Sequence, residues 1–176
     1  PINIPSYTDI EIIGTITDSG VGTTHLIQIT GVPGTPVTDV EIRGGELIGR
    51  GVNVSGDAIH VEYAERFSVT DMTIRGFGNG YDGAGVYVAN AKDGRIWGNY
   101  ITTCRNGYLT PQLTQGHVSG MILANNQIWG CTDDGIHPQR GNNNLITGNL
   151  VGGSGDDDLD LWSEIGSSIV DNVVVA

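Results

Sequence analysis

The segments Leu123-Ala-Asn-Asn-Gln-Ile128, Ile146-Thr-Gly-Asn-Leu-Val151 and Ile169-Val-Asp-Asn-Val-Val174 follow one another at intervals of 23 residues. Each has an aliphatic residue, an asparagine three positions later and a second aliphatic residue two positions after that. Self-similarity at a fixed interval of this length is typical of solenoids, in which each repeat forms one supersecondary unit. The three segments therefore predict a repetitive fold in which equivalent residues stack.

The same pattern continues upstream at intervals of 27 residues. Three aliphatic columns in fixed phase predict three short strands in each turn, or rung, with equivalent residues about 4.8 Å apart. The sequence thus predicts an all-β fold, a single parallel β-helix of about six or seven rungs with three short sheets. The columns are Ile42, Val69, Ile96, Leu123, Ile146 and Ile169; Leu47, Ile74, Ile101, Ile128, Val151 and Val174; and Val32, Ile59, Val86, Leu113, Ile136 and Leu159.

A column of asparagines supports this architecture. Asn99, Asn126, Asn149 and Asn172 recur on the same intervals. Asparagine tolerates the left-handed backbone of tight turns, and its amide can bond to the equivalent amide of the next rung. We therefore expect an asparagine ladder in one turn of every rung.

Length and composition limit the domain count and the class of partner. The 176 residues suffice for one domain, with irregular N-terminal rungs and a partial cap over 1–37 and regular rungs over 38–176. Because the last residues are apolar, we expect the chain to be part of a longer chain or assembly. The net charge of −12 excludes nucleic acid as a partner, and no apolar run is long enough for membrane insertion.

Acidic residues concentrate near the C-terminus. Residues 155–162 contain four aspartates, and residues 132–137 hold two more one repeat earlier. Clustered carboxylates repel one another unless protons or a cation relieve the repulsion, and oxygen ligands suit Ca²⁺. The alternative is that these aspartates only form solvated turns. The predicted Ca²⁺ ligands are Asp133, Asp134, Asp156, Asp157 and Asp160.

A polar strip is expected on the outer face of the first sheet. His60, Tyr87, Thr114 and His137 occupy one outward column, with Trp162 and Arg140 at its edge. Planar rings and hydrogen-bonding groups are what a carbohydrate-binding surface requires. We assign His60, Tyr87, Thr114 and Trp162 to substrate binding.

The rung pattern resembles the pectate-lyase-like superfamily of right-handed parallel β-helices, from which we carry over the handedness. Asp156, Asp157 and Asp160 are similar to the Asp-Asp-x-x-Asp calcium motif of polysaccharide lyase family nine, with Asp133 or Asp134 as the ligand one rung earlier. The resemblance implies Ca²⁺-dependent cleavage of an acidic polysaccharide. It also implies a lysine base beyond the calcium site, but this chain has no lysine after Lys92.

Two residues are candidates for the missing base. Arg140 is one, since arginine serves as the base in other pectate lyases. His137 is the other, because the ordinary pKa of histidine suits proton transfer at neutral pH. Each is equally well explained as a residue that binds substrate.

Two further resemblances suggest other functions. Asp134-Gly-Ile-His137-Pro138 with Asp157 is loosely similar to the catalytic segment of mannuronan epimerases, with His and Pro in the opposite order. Bacteriophage tailspikes share the predicted fold, and they imply a homotrimer that cleaves polysaccharide with carboxylate pairs. In that case Asp134 would act with Asp157 or Asp160 as the acid and base of a glycoside hydrolase, at roughly 6.5 to 9.5 Å.

The non-enzymatic alternative is a structural or adhesive β-helix of a tailspike, fibre or surface layer. The apolar end at 173–176 would then stack end to end with another chain. Both hypotheses place the protein outside the cell or on a virion or cell surface.

Cys104 and Cys131 lie 27 residues apart, in one column on adjacent rungs. That separation is within reach of a disulfide, but side chains of stacked residues often lie side by side. A disulfide and two buried thiols both remain open at this point.

Overall fold

The computed structural model describes residues 1–20, 25–78, 83–111 and 117–175. In this part of the chain the protein is all-β, a parallel β-helix of about six turns, and contains no helix. A segment long and apolar enough to cross a membrane as a helix is likewise not found among these residues. The predicted fold class is confirmed.

Every rung contributes one short strand to the second and third of three long parallel sheets, and every rung except the last described one contributes a strand to the first; a fourth short sheet lies beside the C-terminal rungs. The first sheet contains β1 (Ile2–Asn3), β4 (Ile27–Thr30), β7 (Ile59–Glu62), β10 (Ala84–Ala89), β13 (Asn106–Thr110) and β17 (Ile136–Pro138). The second contains β2 (Thr8–Glu11), β5 (Val37–Arg43), β8 (Ala64–Thr70), β11 (Arg95–Trp97), β15 (Ile122–Ala124), β19 (Leu145–Thr147) and β22 (Ser168–Val170). The third contains β3 (Thr15–Thr17), β6 (Glu46–Ile48), β9 (Thr73–Arg75), β12 (Tyr100–Thr102), β16 (Gln127–Trp129), β20 (Leu150–Gly152) and β23 (Val173–Val175). The fourth contains β14 (Val118–Ser119), β18 (Arg140–Asn142) and β21 (Ser163–Ile165).

Two of the predicted aliphatic columns are confirmed along their full length. The column that begins at Ile42 pairs in register through the second sheet to Ile169. The column from Leu47 to Val174 does the same in the third sheet. Most members of both columns are fully buried, because they point into the space that the three sheets enclose. Their burial supplies the main driving force for folding.

The first-sheet column is wrong at two positions. Ile27 pairs with Ile59, so it occupies the place predicted for Val32, which is 59% exposed in a turn beside Thr35. Tyr108 pairs with Val86 and with Ile136, so it occupies the place predicted for Leu113. Leu113 itself lies outside the described residues.

The physical reason is the position of the extra residues in the longer rungs. The predicted column has steps of 27 residues from Val86 to Leu113 and 23 from Leu113 to Ile136, but the observed step from Val86 to Tyr108 is 22 residues and the next step, to Ile136, is 28. The extra residues therefore follow β13 instead of preceding it. The extra residues lengthen a rung by the same amount whether they precede or follow a short strand. The interval between rungs therefore does not show on which side of the strand they lie.

The asparagine ladder is confirmed in the turn between the second and third sheets. The Nδ2 of Asn99 donates to Oδ1 of Asn126 at 3.0 Å, and Asn126 donates to Asn149 at 2.9 Å. Asn149 donates in turn to Asn172 at 2.9 Å. Each Oδ1 also accepts the backbone N–H of the asparagine below it, as in the 3.0 Å bond from Asn99 N to Asn126. These bonds satisfy buried polar groups that would otherwise be costly in the core.

Cys104 and Cys131 are both buried, and neither forms a disulfide.

Residues 1–37 already supply strands to all three long sheets, from β1 to the first residue of β5. The regular stacking therefore begins close to the N-terminus of the described chain.

Candidate functional site

The outer face of the first sheet carries one polar column in register. Gln28 pairs with His60, His60 with Tyr87, Tyr87 with Leu109 and Leu109 with His137. Leu109 thus occupies the place predicted for Thr114, which lies outside the described residues. The column is therefore polar near both ends and apolar in the middle.

His137 is held between two aspartates near the C-terminal end of this column. Its Nδ1 lies 2.5 Å from Oδ2 of Asp134, and its Nε2 lies 3.1 Å from Oδ2 of Asp160. The contact to Asp160 is an ion pair without the alignment of a hydrogen bond. Asp134 and His137 are both buried, whereas Asp160 is half-buried. The carboxylate and imidazole atoms of the three residues lie within 4.8 Å of one another.

Local backbone geometry brings these side chains together. Asp134 ends a loop, and β17 places His137 three residues later on the outer face. Gly135 allows the close approach of the next rung, because a Cβ at this position would meet the carbonyl oxygen of Asp158 at 2.5 Å. Asp160 follows Leu159, which bridges to Ile136, so Asp160 stacks over His137.

Burial and mutual attraction act in opposite directions on this group. Burial by itself would lower the pKa of His137, but its hydrogen bond to Asp134 and the charges of Asp134, Asp160 and Asp133 outweigh that effect and raise the pKa. Burial would raise the pKa of Asp134, but hydrogen bonds from His137 and from the backbone N–H of Asp157 lower it. Both shifts favour an imidazolium paired with a carboxylate.

Asp157 experiences the opposite electrostatic environment. Its side chain is exposed, and its pKa is raised, first by partial desolvation and then by the negative charges of Asp156, Asp160 and Asp134. Its backbone N–H donates to Oδ1 of Asp134 at 3.1 Å. Asp134 and Asp157 therefore lie on adjacent rungs, and their pKa values are shifted in opposite directions: that of Asp134 is lowered and that of Asp157 is raised.

Two other predicted calcium ligands are placed apart from this group. Asp133 forms an ion pair with Arg105 at 3.2 Å, which directs its carboxylate toward the preceding rung. Asp156 lies exposed in the loop before Asp157. Of the five predicted ligands, Asp134 and Asp160 converge, and the residue that joins them is His137. The predicted Ca²⁺ site stays a prediction.

Trp162 and Arg140, the residues predicted at the edge of the polar strip, make different contacts. Trp162 is 55% exposed, its Nε1–H donates to Oδ2 of Asp160 at 2.7 Å, and its ring centroid lies 5.4 Å from that of His137. Arg140 lies in β18, where it pairs with Ser163 and its backbone N–H donates to Oγ1 of Thr110 at 3.3 Å. Trp162 therefore presents an aromatic face beside the buried charges.

A second cluster near the N-terminal end of the column repeats the first in part. Oδ2 of Asp57 lies 2.8 Å from Nδ1 of His60 and 2.8 Å from Nδ1 of His25. Asp57-Ala-Ile-His60 has the same spacing as Asp134-Gly-Ile-His137. Asp57 could therefore have been found from the sequence, by comparing this spacing with that of Asp134 and His137. The sequence pattern does not single out His25, because the 32-residue step from Ile27 to Ile59 departs from the repeat.

An apolar patch separates the two clusters. Tyr87 and Leu109 are almost fully buried on the outer face of the sheet, together with Ala84 and Ala89. Tyr87 also stacks on the ring of His60, at a centroid separation of 4.8 Å. The two clusters are therefore distinct sites on one sheet.

Comparisons with known proteins show which family this chain belongs to. A crystal structure of the Dettilon tailspike protein is similar to this chain, with a TM-score of 0.52 and 18% identity, over 89% of this chain and 39% of the tailspike chain. At this identity the likeness shows the fold alone, and the chain spans less than half of the tailspike. A search of curated proteins finds no match. The finer likeness to polysaccharide lyase family nine stays a prediction. The family model described as periplasmic copper-binding protein (NosD) matches residues 13–176, and the chain therefore belongs to the NosD family of right-handed parallel β-helices.

Proposed function

We propose that the protein binds a polysaccharide across the C-terminal rungs of the first sheet and cleaves it with Asp134, Asp157 and Asp160. The observation that carries the proposal is the stacking of Asp134, whose pKa is lowered, beside Asp157, whose pKa is raised. Carboxyl groups whose environments drive their pKa values apart are suited to separate acid and base roles.

The roles of the individual residues follow from their surroundings. Asp157 is exposed and retains its proton to a higher pH than an ordinary aspartate, so it donates a proton to the glycosidic oxygen. Asp134 stays ionised against His137, and its charge maintains the raised pKa of Asp157. Asp160 is half-buried beside them and acts as the base that takes a proton from water, so that the water oxygen bonds to the anomeric carbon as the bond to the glycosidic oxygen breaks.

Trp162 supports binding of the polymer. Sugar rings present flat apolar faces, and an exposed indole offers a platform for them. Because its Nε1–H is bonded to Asp160, the ring has a defined orientation relative to the carboxylates. A sugar stacked on Trp162 would lie beside the acid group.

The spacing of the carboxylates argues against one version of the mechanism. The oxygens of Asp134 and Asp160 lie within 4.8 Å. The acid and base of an inverting hydrolase are separated by roughly 6.5 to 9.5 Å, which leaves room for water. Asp134 and Asp160 are therefore too close to serve together as that pair.

Whether the site accepts an acidic polymer depends on Ca²⁺. The strongly acidic chain repels a uronate polymer, and a Ca²⁺ bound by carboxylates of residues 155–160 other than that of Asp157, which carries the proton, would offset that repulsion. We therefore propose an acidic polysaccharide as substrate in the presence of Ca²⁺. Neutral polymers form the comparison arm of the test.

The test is incubation with polygalacturonate, alginate and neutral polysaccharides, with Ca²⁺ or a chelator. New reducing ends without ultraviolet absorbance would indicate hydrolysis, and a rise in absorbance from an unsaturated product would indicate a lyase. Asp157→Asn is expected to abolish either signal, whereas the same change at exposed Asp171 should leave it intact. Absence of cleavage and of binding with every polymer would overturn the proposal, and a trimer by light scattering would then favour the structural alternative.

Copper binding is a second candidate function, favoured by the description of the NosD family. That description also includes the periplasm, which agrees only at a coarse level with the expected location outside the cell or on a virion or cell surface. Imidazole and carboxylate groups are ligands for copper, and each of the two clusters contains both. In the C-terminal cluster the single imidazole is paired with Asp134 and favours its protonated form, which is not a metal ligand. The N-terminal cluster fits copper better.

A further inference from the structure

His25, Asp57 and His60 bring three potential metal ligands to one point on the outer face of the first sheet. We propose that these three residues form a binding site for a divalent transition-metal ion, with Cu²⁺ preferred. This inference deepens the second candidate function, copper binding, by naming its site. It is independent of the polysaccharide site, from which the apolar patch around Tyr87 and Leu109 separates it.

The type of ligand determines the class of ion. Two imidazoles and one carboxylate suit copper, zinc and nickel, whereas Ca²⁺ prefers a shell of oxygen ligands. Among divalent first-row ions, Cu²⁺ binds most tightly to a given set of nitrogen and oxygen ligands. The C-terminal cluster offers one imidazole and two carboxylates. The N-terminal cluster is therefore the more selective for copper.

The ligand separations are close to those of a metal shell. Both Nδ1 atoms lie 2.8 Å from Oδ2 of Asp57. Cu²⁺ favours a square-planar arrangement, in which neighbouring ligands at about 2.0 Å from the ion are separated by about 2.8 Å. The two separations therefore fit Cu²⁺ with little movement. His25 can supply the adjustment that is needed, because its side chain is 30% exposed, whereas that of Asp57 is 3% exposed.

The hydrogen bonding of His25 favours a cation beside its Nδ1 atom. The backbone N–H of Asp57 donates to Nδ1 of His25 at 3.2 Å, so this nitrogen presents its lone pair. The same nitrogen lies 2.8 Å from a carboxylate oxygen, which also presents lone pairs. Two facing acceptors repel each other unless a cation lies between or beside them. A metal ion bound to both atoms removes this repulsion.

The remaining contacts hold the ligands in position. Oδ1 of Asp57 accepts the backbone N–H of Ala84 at 2.7 Å, which leaves Oδ2 to face the imidazoles. The ring of His60 is stacked between His25, at 4.0 Å, and Tyr87, at 4.8 Å. Such outer contacts orient metal ligands and raise affinity. The partly exposed His25 provides the route by which the ion enters.

The test is titration of the purified protein with Cu²⁺ by calorimetry, together with electron paramagnetic resonance of the copper complex. We expect one tight site in wild type whose spectrum shows coupling to two nitrogens. His25→Gln should weaken binding by more than about tenfold and leave coupling to one nitrogen. Since His25 is partly exposed, this variant should retain the wild-type melting temperature without metal. The matched control is His117→Gln, an exposed histidine outside both clusters, which should bind Cu²⁺ as wild type does.

The outcomes separate the site from the function. Tight Cu²⁺ binding that survives His25→Gln and is lost in His137→Gln would overturn this site and leave copper binding intact. Absence of Cu²⁺ binding to wild type would overturn both. A rise in melting temperature on adding Cu²⁺ to wild type, absent in His25→Gln, would support the site, because only the folded state gathers the ligands. Preference for Ca²⁺ over Cu²⁺ at these residues would contradict it.

Discussion

Asp157 lies one rung beyond Asp134, and its backbone N–H donates a 3.1 Å hydrogen bond to the Asp134 carboxylate. The bond helps keep Asp134 ionised, and the charge of Asp134 helps raise the pKa of the Asp157 side chain. The backbone N–H of Asp157 thus stabilises the negative charge of Asp134, and that charge destabilises the ionised form of the Asp157 side chain. This relationship links the stability of the last rungs to the proposed chemistry.

Asp157→Asn should make the protein more stable while it abolishes cleavage. The raised pKa means that the ionised side chain is destabilised at neutral pH, first by partial desolvation and then by the charges of Asp156, Asp160 and Asp134. The gain in melting temperature should be largest at neutral pH and should shrink as the pH falls through the raised pKa, where wild type becomes protonated. Thermal unfolding across this pH range measures the effect.

The control for this prediction is Asp171→Asn. Asp171 is exposed and has a positive φ of 55°, a backbone conformation that asparagine also tolerates. Its replacement should leave the melting temperature almost unchanged. A lower melting temperature for Asp157→Asn than for wild type at neutral pH would contradict the electrostatic explanation.

Trp162→Ala should weaken polysaccharide binding without loss of stability. The indole is 55% exposed, so its removal leaves no cavity in the core. Loss of one stacking contact is worth about 1 kcal/mol, or about a fivefold increase in Kd. Titration of binding by calorimetry measures the change. Trp97→Ala is the matched control, because Trp97 is also exposed but lies on the second sheet, and an equal loss in that variant would refute the assignment.

The ion pair between His137 and Asp134 should stabilise the protein over a defined pH window. The pKa of His137 is raised, so its contribution is complete below the ordinary value of 6.5 and is lost as pH rises through the raised pKa. The pKa of Asp134 is lowered, so its contribution is complete above the ordinary value of 3.8 and is lost as pH falls through the lowered pKa. The charges of Asp160 and Asp133 act in the same direction on the imidazole.

We therefore expect His137→Gln to lower the melting temperature most between pH 3.8 and 6.5. The difference from wild type should diminish on either side of that window. Thermal unfolding in a series of buffers measures it, with His117→Gln as the histidine control. A difference that stays constant from acid to alkaline pH would exclude the ion pair as its cause.

Asn126→Ala should destabilise the whole solenoid. Asn126 is fully buried, donates to Asn149 and to the carbonyl of Ile96, and accepts from Asn99. Removal leaves several buried polar groups without partners, at about 1–3 kcal/mol each. Chemical denaturation should show a loss of about 3 kcal/mol or more. Asn172→Ala at the less buried end of the ladder should cost clearly less, and equal losses would argue against burial as the reason.

Cys104 and Cys131 should be unreactive thiols in the native protein. Burial raises the pKa of Cys104 to about 12 and also raises the pKa of Cys131, so neither forms a thiolate at neutral pH. A thiol reagent should modify neither residue in buffer and both in denaturant without reductant. Failure to detect two thiols after unfolding would indicate a disulfide and contradict the structure.

The candidate site could be predicted from the sequence in part. The 23-residue interval placed Asp134 and His137 beneath Asp157 and Asp160, because no insertion separates those two rungs. The sequence did not show that the imidazole lies between two carboxylates, nor that Asp133 turns away toward Arg105. Side-chain direction depends on partners in the preceding rung, and a repeat pattern carries no information about them.

The sequence by itself determined the solenoid, two of its aliphatic columns and the asparagine ladder. These features depend on contacts between equivalent positions of neighbouring rungs, which recur at fixed intervals. The tertiary structure alone decided that Ile27 and Tyr108 belong to the first sheet, and that His25 meets Asp57 and His60. The physical reason is that rungs of unequal length close on the same core: each strand is positioned by the side chains it buries, and the extra residues are displaced into loops.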